Sequence, residues 1–206
     1  MVGFAGPSAA ANIALQYMHL SFMPAVGFGT AVCSVVGHAI GQKRPDLALR
    51  RARLGMMLNG LYMGLIGLLF LIARTPLMQL LSADPAVIRI GAGVLIWAAI
   101  FQVFDAAGIT YMNALRGAGD TRWPAIVVAL HCWVILGGGG YALAALWPGL
   151  GFHGPWMMCT LYIILLGLAL WRRFVHGEWR RIDLFGDPAT DRRPSVAPSP
   201  RPAAGE

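Results

Sequence analysis

The chain has 206 residues; 57% are hydrophobic, only 12% are charged, and the net charge is +7. Soluble domains carry about 25% charged residues, and most residues of a small domain touch water, so one core of this size cannot hide so much apolar surface. The composition therefore excludes a soluble globular protein and points to an integral membrane protein, and the gathering of the basic residues at the ends of apolar runs argues against a nucleic-acid surface.

The first charge-free run, Val2 to Gln42, predicts a membrane span near residues 9–41. Asn12, Gln16, His19, Thr30, Ser34 and His38 recur there at spacings of three and four, with Met23 and Gly27 bridging the gap, so they share one face. In lipid a polar face has to meet protein or water. The stripe is read either as helix–helix hydrogen bonding or as a wetted cavity wall, with Asn12 and Gln16 as candidate lining residues. Pro24, with Gly27 and Gly29, predicts a kink.

Lys43, Arg44, Arg50, Arg51 and Arg53 follow as a basic inter-helix loop, and a second span is predicted near 53–73. Gly60, Gly64 and Gly67 in that span predict close helix packing. PLMQLLS, residues 76–82, predicts a short interfacial helix or turn ahead of Asp84 and Pro85. A third span is predicted near 87–115. The first and third spans exceed the bilayer and are expected to tilt, kink or project from it.

Asp105 is the only charged residue between Arg89 and Arg116. A charge at mid-membrane costs about 2.5–3.5 kcal/mol on insertion scales and calls for a functional explanation. A carboxylate in a polar pocket can exchange a proton or act as a hard oxygen ligand for a cation. Gln102 lies one turn earlier and Asn113 two turns later, so all three are expected to line one side of a hydrophilic pocket. No basic residue in the spans is placed to neutralise Asp105.

LRGAGDT, residues 115–121, reads as a turn: Gly117 and Gly119 bend the chain, Asp120 or Thr121 caps the next helix, and Pro124 fits its first turn. A fourth span is predicted near 123–146, where Gly137–Gly140 allows either close packing or a flexible break, and a fifth near 155–174. Arg172, Arg173, Arg180 and Arg181 follow it. Residues 185–206, rich in Pro, Ala, Ser and Arg, read as a disordered tail.

The side with Arg116 and Arg122 is basic, whereas the opposite side has only Arg74 and Arg89 beside Asp84. This positive-inside pattern predicts a multi-pass protein of the inner (plasma) membrane with a cytoplasmic C-terminus, its basic residues touching the lipid bilayer. Five spans then put the N-terminus outside, and MVGFAGPSAAA has nothing that favours export, so an upstream helix is expected. Cys33, Cys132 and Cys159 read as small buried residues, and neither a disulfide nor a metal cluster is expected. No Ser/His/Asp order, HExxH or phosphate-binding loop suggests an enzyme, and no cofactor is expected.

Several stretches, taken together and in order, resemble the MATE family of multidrug efflux transporters, in particular its NorM-like branch. They are MPAVGFGTAVCSVVGHAIGQKRPDLALRRAR from Met23 to Arg53, LLSADPAV, FQVFDAAGITYMNALRGAGDT before Pro124, and GFHGPW followed by an apolar helix and RRFVHGEWRRI. The resemblance implies an all-α membrane fold in which residues 1–184 form part of a C-terminal lobe, helices eight to twelve of twelve. It implies export of organic cations by antiport with sodium or protons, Asp105 binding the coupling ion. The partner carboxylate of helix seven has no counterpart here. A tyrosine of the family one turn before the carboxylate is Phe101, which leaves proton coupling open. The resemblance also implies a partner lobe or second chain. The alternatives are a non-transporting truncated fragment and a lipid-linked saccharide flippase. The flippase would call for cationic residues mid-span, and there are none.

Overall fold

In hydrocarbon every backbone N–H and C=O has to be satisfied within the segment, so charge-free runs of this length fold as helices. The computed structural model describes residues 5–150 and 153–181. In chain order it contains α1 (Ala5–Gly41), α2 (Pro45–Ile72), α3 (Arg74–Leu81), α4 (Pro85–Gly117) and α5 (Arg122–His131). A π-helical segment, Cys132–Gly139, leads into α6 (Gly140–Leu146), and α7 (His153–His176) follows. Five helices among the described residues are long and apolar enough to cross a membrane: α1, α2, α4, the continuous α5–α6 rod and α7. The expected all-α architecture of about five spans holds. The tail at 185–206 lies outside the described residues.

Local chemistry sets the helix ends. Pro45 opens α2, ahead of the start expected near residue 53, and Asp46 sits in its first turn. Arg50, Arg51 and Arg53 are therefore helical, and only Lys43 and Arg44 belong to the connection, where Lys43 takes a left-handed backbone (φ 57°). The Asp84 carboxylate accepts a hydrogen bond from Ala86 N at 2.8 Å and caps α4, with Pro85 in its first turn. The short helix expected at 76–82 is α3. α1 runs on through Pro24 as one continuous helix.

α4 is the hub, packed against α1, α2, α3 and α7, while α5 and α6 lean on α7. Leu61, Leu65, Trp133 and Tyr141 are exposed on the outer surface, as lipid-facing side chains would be. Cys132 is exposed there too, against the expectation of burial, because the rod formed by α5 and α6 turns most of its surface away from the bundle. Glycine brings three neighbours onto α4: a Cβ on Gly117 of α4 would run into Cys33 O of α1. A Cβ on Gly67 would lie 3.1 Å from Ala99 O, and one on Gly167 would lie 2.6 Å from Phe104 O. Gly60 and Gly64 make no comparably tight contact with another helix. The glycines of the 137–140 run are half-buried or exposed and fall on the π-helical segment and its end, a widened turn in which Gly139 also packs closely on α7, where a Cβ would lie 3.1 Å from Met158 Sδ. Gly167→Val should force α7 off α4 and cost about 1–3 kcal/mol, read as a lower unfolding midpoint of the detergent-solubilised chain.

At the basic end a clasp closes the bundle. Asp120 or Thr121 was expected to cap the next helix; Thr121 stands at the N-cap of α5 without a side-chain capping bond, and Asp120 is buried and accepts from Arg173 Nε at 2.9 Å. Arg173 also pairs with Glu178 and lies over the Trp123 ring, 4.9 Å from its centroid. Trp179 stacks on Phe174 at 5.4 Å and donates from Nε1 to Phe174 O at 2.8 Å.

Candidate functional site

The interior is layered. One apolar core holds Phe70, Leu95, Phe101 and Ala14; a second, toward the basic end, holds Val32, Ala52, Tyr111 and Leu170; a small third cluster, Ala25, Met63 and Ala106, lies between them. On α1, α2 and α4 the positions between these two cores carry the buried polar side chains Ser21, Asn59, Gln102 and Thr110. A polar belt therefore crosses the bundle at mid-height.

Each group in the belt bridges helices. Gln102 Nε2 of α4 donates to Ser21 Oγ of α1 at 3.1 Å, and Ser21 Oγ donates to Met18 O at 2.8 Å. The Tyr62 hydroxyl of α2 donates to Ser21 O at 3.2 Å. Asn59 Nδ2 of α2 donates to Thr110 Oγ1 at 3.0 Å and lies 3.4 Å from Ala106 O. Asn59 Oδ1, fully buried, has no hydrogen-bond partner among the described residues. Buried amides of this kind fix one register between helices, since slippage leaves polar atoms unpaired in an apolar medium. Gln102→Leu should cost about 1 kcal/mol, because interhelical hydrogen bonds in membranes contribute about that much and Ser21 keeps its bond to Met18. Thermal unfolding of the variant beside wild type measures it.

Asp105 opens onto a cleft of about 270 Å³ between α1 and α4, whose walls include His19, Ser21 and Met23 and, from α4, Phe101 and Gln102. The carboxylate is half-buried and makes no hydrogen bond or ion pair with any described residue. The wall is mostly apolar, with Met18, Phe22, Met23 and Phe101, so its few polar groups stand out. A carboxylate beside an amide and a hydroxyl offers the hard oxygen donors that a sodium ion or a proton takes. Among the described residues no cluster of three or more His, Cys, Asp or Glu could hold a transition metal.

The structure brings Gln102 and Asp105 together and leaves three other expected residues apart. Asn113 is eight residues beyond Asp105, which turns the helix by about 80° from it. Its Nδ2 donates to Ile109 O at 2.9 Å and packs over Gly29 of α1, one level nearer the basic end. Asn12 and Gln16 are exposed on α1 and do not line the cleft. Thr30 and Ser34 of the same stripe donate to carbonyls of their own helix, Val26 O and Thr30 O. Ser21, Tyr62, Asn59 and Thr110 were not singled out in the sequence. Asn59 could have been, as the one amide side chain in the apolar run from Leu54 to Ala73.

Comparison with known proteins gives a consistent picture. Residues 6–136 match the family described as MatE. The chain is similar to "Probable multidrug resistance protein NorM" of Aromatoleum aromaticum, at 37% identity over 151 residues, 73% of this chain and 30% of that protein. It is similar to "Multidrug resistance protein PmpM" of Pseudomonas aeruginosa, at 37% identity over 132 residues, 64% of this chain and 28% of that protein. Its fold is similar to that of the eukaryotic MATE transporter AtDTX14, with a TM-score of 0.77 at 18% identity, covering 85% of this chain and 39% of that one. The chain spans about a third of the length of the curated relatives it matches.

Proposed function

Because the chain belongs to the MatE family of transporters, we propose that it forms part of a multidrug efflux transporter that exchanges an organic cation for sodium or a proton, with Asp105 binding the coupling ion. One observation carries the reading. The hub helix holds a half-buried carboxylate without a hydrogen-bond or ion-pair partner among the described residues, facing a cleft that it shares with His19, Ser21 and Gln102. An uncompensated charge at that depth is costly, and binding a cation repays the cost. A carboxylate there holds either the ion or nothing, and so can couple ion entry to the movement of a second cargo.

Gln102 and Ser21 supply the neutral oxygens beside Asp105. The organic cation is assigned to a larger cavity made with a partner lobe or second chain, and Asn12 and Gln16, exposed on α1, are placed to face it. No Lys or Arg lies midway along the described spans, which favours a cationic cargo over the anionic headgroup of a lipid-linked saccharide. The basic ends of α1, α4 and α7 are assigned to the cytoplasmic side of the inner membrane.

The test is ethidium accumulation in a bacterial host stripped of its own efflux pumps, expressing the protein as its gene encodes it. Lower accumulation than with empty vector, dependent on an imposed sodium or proton gradient, is expected. Accumulation equal to the vector, with the protein folded in the membrane, would show a non-transporting piece and overturn the reading.

A further inference from the structure

The end of the bundle opposite the basic clasp has two arginines, fifteen positions apart in the sequence, and the fold brings them to one place. Arg74, at the start of α3, and Arg89, in the second turn of α4, line the same cleft of about 700 Å³, together with Thr75 and Gln79. Neither guanidinium has an ion-pair or hydrogen-bond partner among the described residues. The nearest acid in sequence, Asp84, has its carboxylate engaged at Ala86 N, 2.8 Å away, where it caps α4. Two unpaired positive groups in one concavity repel each other, and an anion placed between them relieves that repulsion.

The wall below the arginines selects among anions. Ile88, Ala92 and Ile96 of α4 recur every fourth residue and form one ridge running from the arginines into the membrane-spanning part of the helix. A free inorganic anion gains nothing from such a wall, whereas an acyl chain does. We propose that this cleft binds an anionic phospholipid, its phosphate held by Arg74 and Arg89 and one acyl chain laid along the Ile88–Ala92–Ile96 ridge. Guanidinium suits the task because its planar fork meets two phosphate oxygens at once. Gln79 and Thr75 offer further donors to the headgroup. The site is separate from the Asp105 cleft and stands whether or not that cleft couples transport.

Native mass spectrometry of the full 206-residue chain, delipidated in detergent and titrated with phosphatidylglycerol, phosphatidylcholine or inorganic phosphate, tests the proposal. Phosphatidylglycerol is expected to bind most tightly, and Arg74→Gln/Arg89→Gln to weaken it about tenfold or more, as loss of charged hydrogen bonds does. Arg44→Gln/Arg50→Gln, which removes as much charge at the other end, should leave that binding in place. Should the double variant fail to fold by circular dichroism, each single variant is read instead, with a smaller loss expected. Equal binding by wild type and variant overturns the proposal, as does equal weakening by the Arg44/Arg50 control. Displacement of the lipid by inorganic phosphate at comparable concentration would show a simple anion site and overturn the assignment to lipid.

Discussion

Asp105→Asn should reduce gradient-driven export to the level of the empty vector while leaving the fold intact or slightly firmer. The substitution keeps the shape and volume of the side chain and removes only its ability to ionise. Asp105 has no ion pair or hydrogen bond to lose among the described residues. Relief from holding a charge at mid-membrane, about 2.5–3.5 kcal/mol on insertion scales, acts in favour of the variant. The two measurements therefore move in different directions: transport is lost, and the unfolding midpoint is unchanged or raised. A structural role predicts the reverse pairing, with stability lost and residual transport in proportion to the protein that folds. Asp105→Glu keeps the charge on a longer stem and should retain part of the activity with an altered ion requirement. Ethidium export in vesicles under separate sodium and proton gradients, paired with thermal unfolding of each variant, supplies both readings. Wild-type export by Asp105→Asn would remove this carboxylate from the mechanism.

Arg173→Ala is expected to produce the largest loss of stability, about 3 kcal/mol, at the low end of the range for breaking a buried ion pair. Asp120 is 4% exposed, so truncating Arg173 strands a carboxylate with no other ion-pair partner among the described residues. The contact over Trp123 and the pair with Glu178 go at the same time. Asp120→Asn should cost less, because Arg173 keeps its pair with Glu178. A double-mutant cycle on Arg173 and Asp120, read by thermal unfolding in detergent, isolates the coupling between them. A coupling near zero would mean that the clasp is held by the Trp179–Phe174 stack instead.

The five spans were legible because hydrocarbon imposes one local solution on a long charge-free run, and Asp105 was legible because a lone charge in such a run is conspicuous. Other features needed the fold. The cluster of arginines after Gln42 made residues 43–53 read as a loop, yet Pro45 and Asp46 are ordinary helix-start residues, and the helix simply carries its charges on its first turns. Asp120 sits where a cap is common, but its partner is 53 residues away on another helix, and no local rule reaches that far. The polar belt was half seen. Ser21 and Thr110 are hydroxyls of a kind that often bond back to their own helix, as Thr30 and Ser34 do, so nothing in their spacing marks them as interhelical. Asn113 shares a face with Gln102 on a helical wheel, but the cleft is cut by the crossing of α1, and the wheel has no knowledge of that crossing. The tight contacts of Gly67 and Gly167 likewise depend on which backbone lies opposite, a property of pairs of helices and not of either sequence alone.

The close seating of α2 and α7 on α4 has a mechanical consequence. With backbone on either side nearly touching and the Gln102–Ser21 bond holding α1, the helix that bears Asp105 has no freedom to slide or roll by itself. Any stroke that turns its cleft from one side of the membrane to the other has to carry four helices as a single lever. Deformation is then left to the periphery, where the widened turn at Cys132–Gly139 lies in the rod that grips the bundle least.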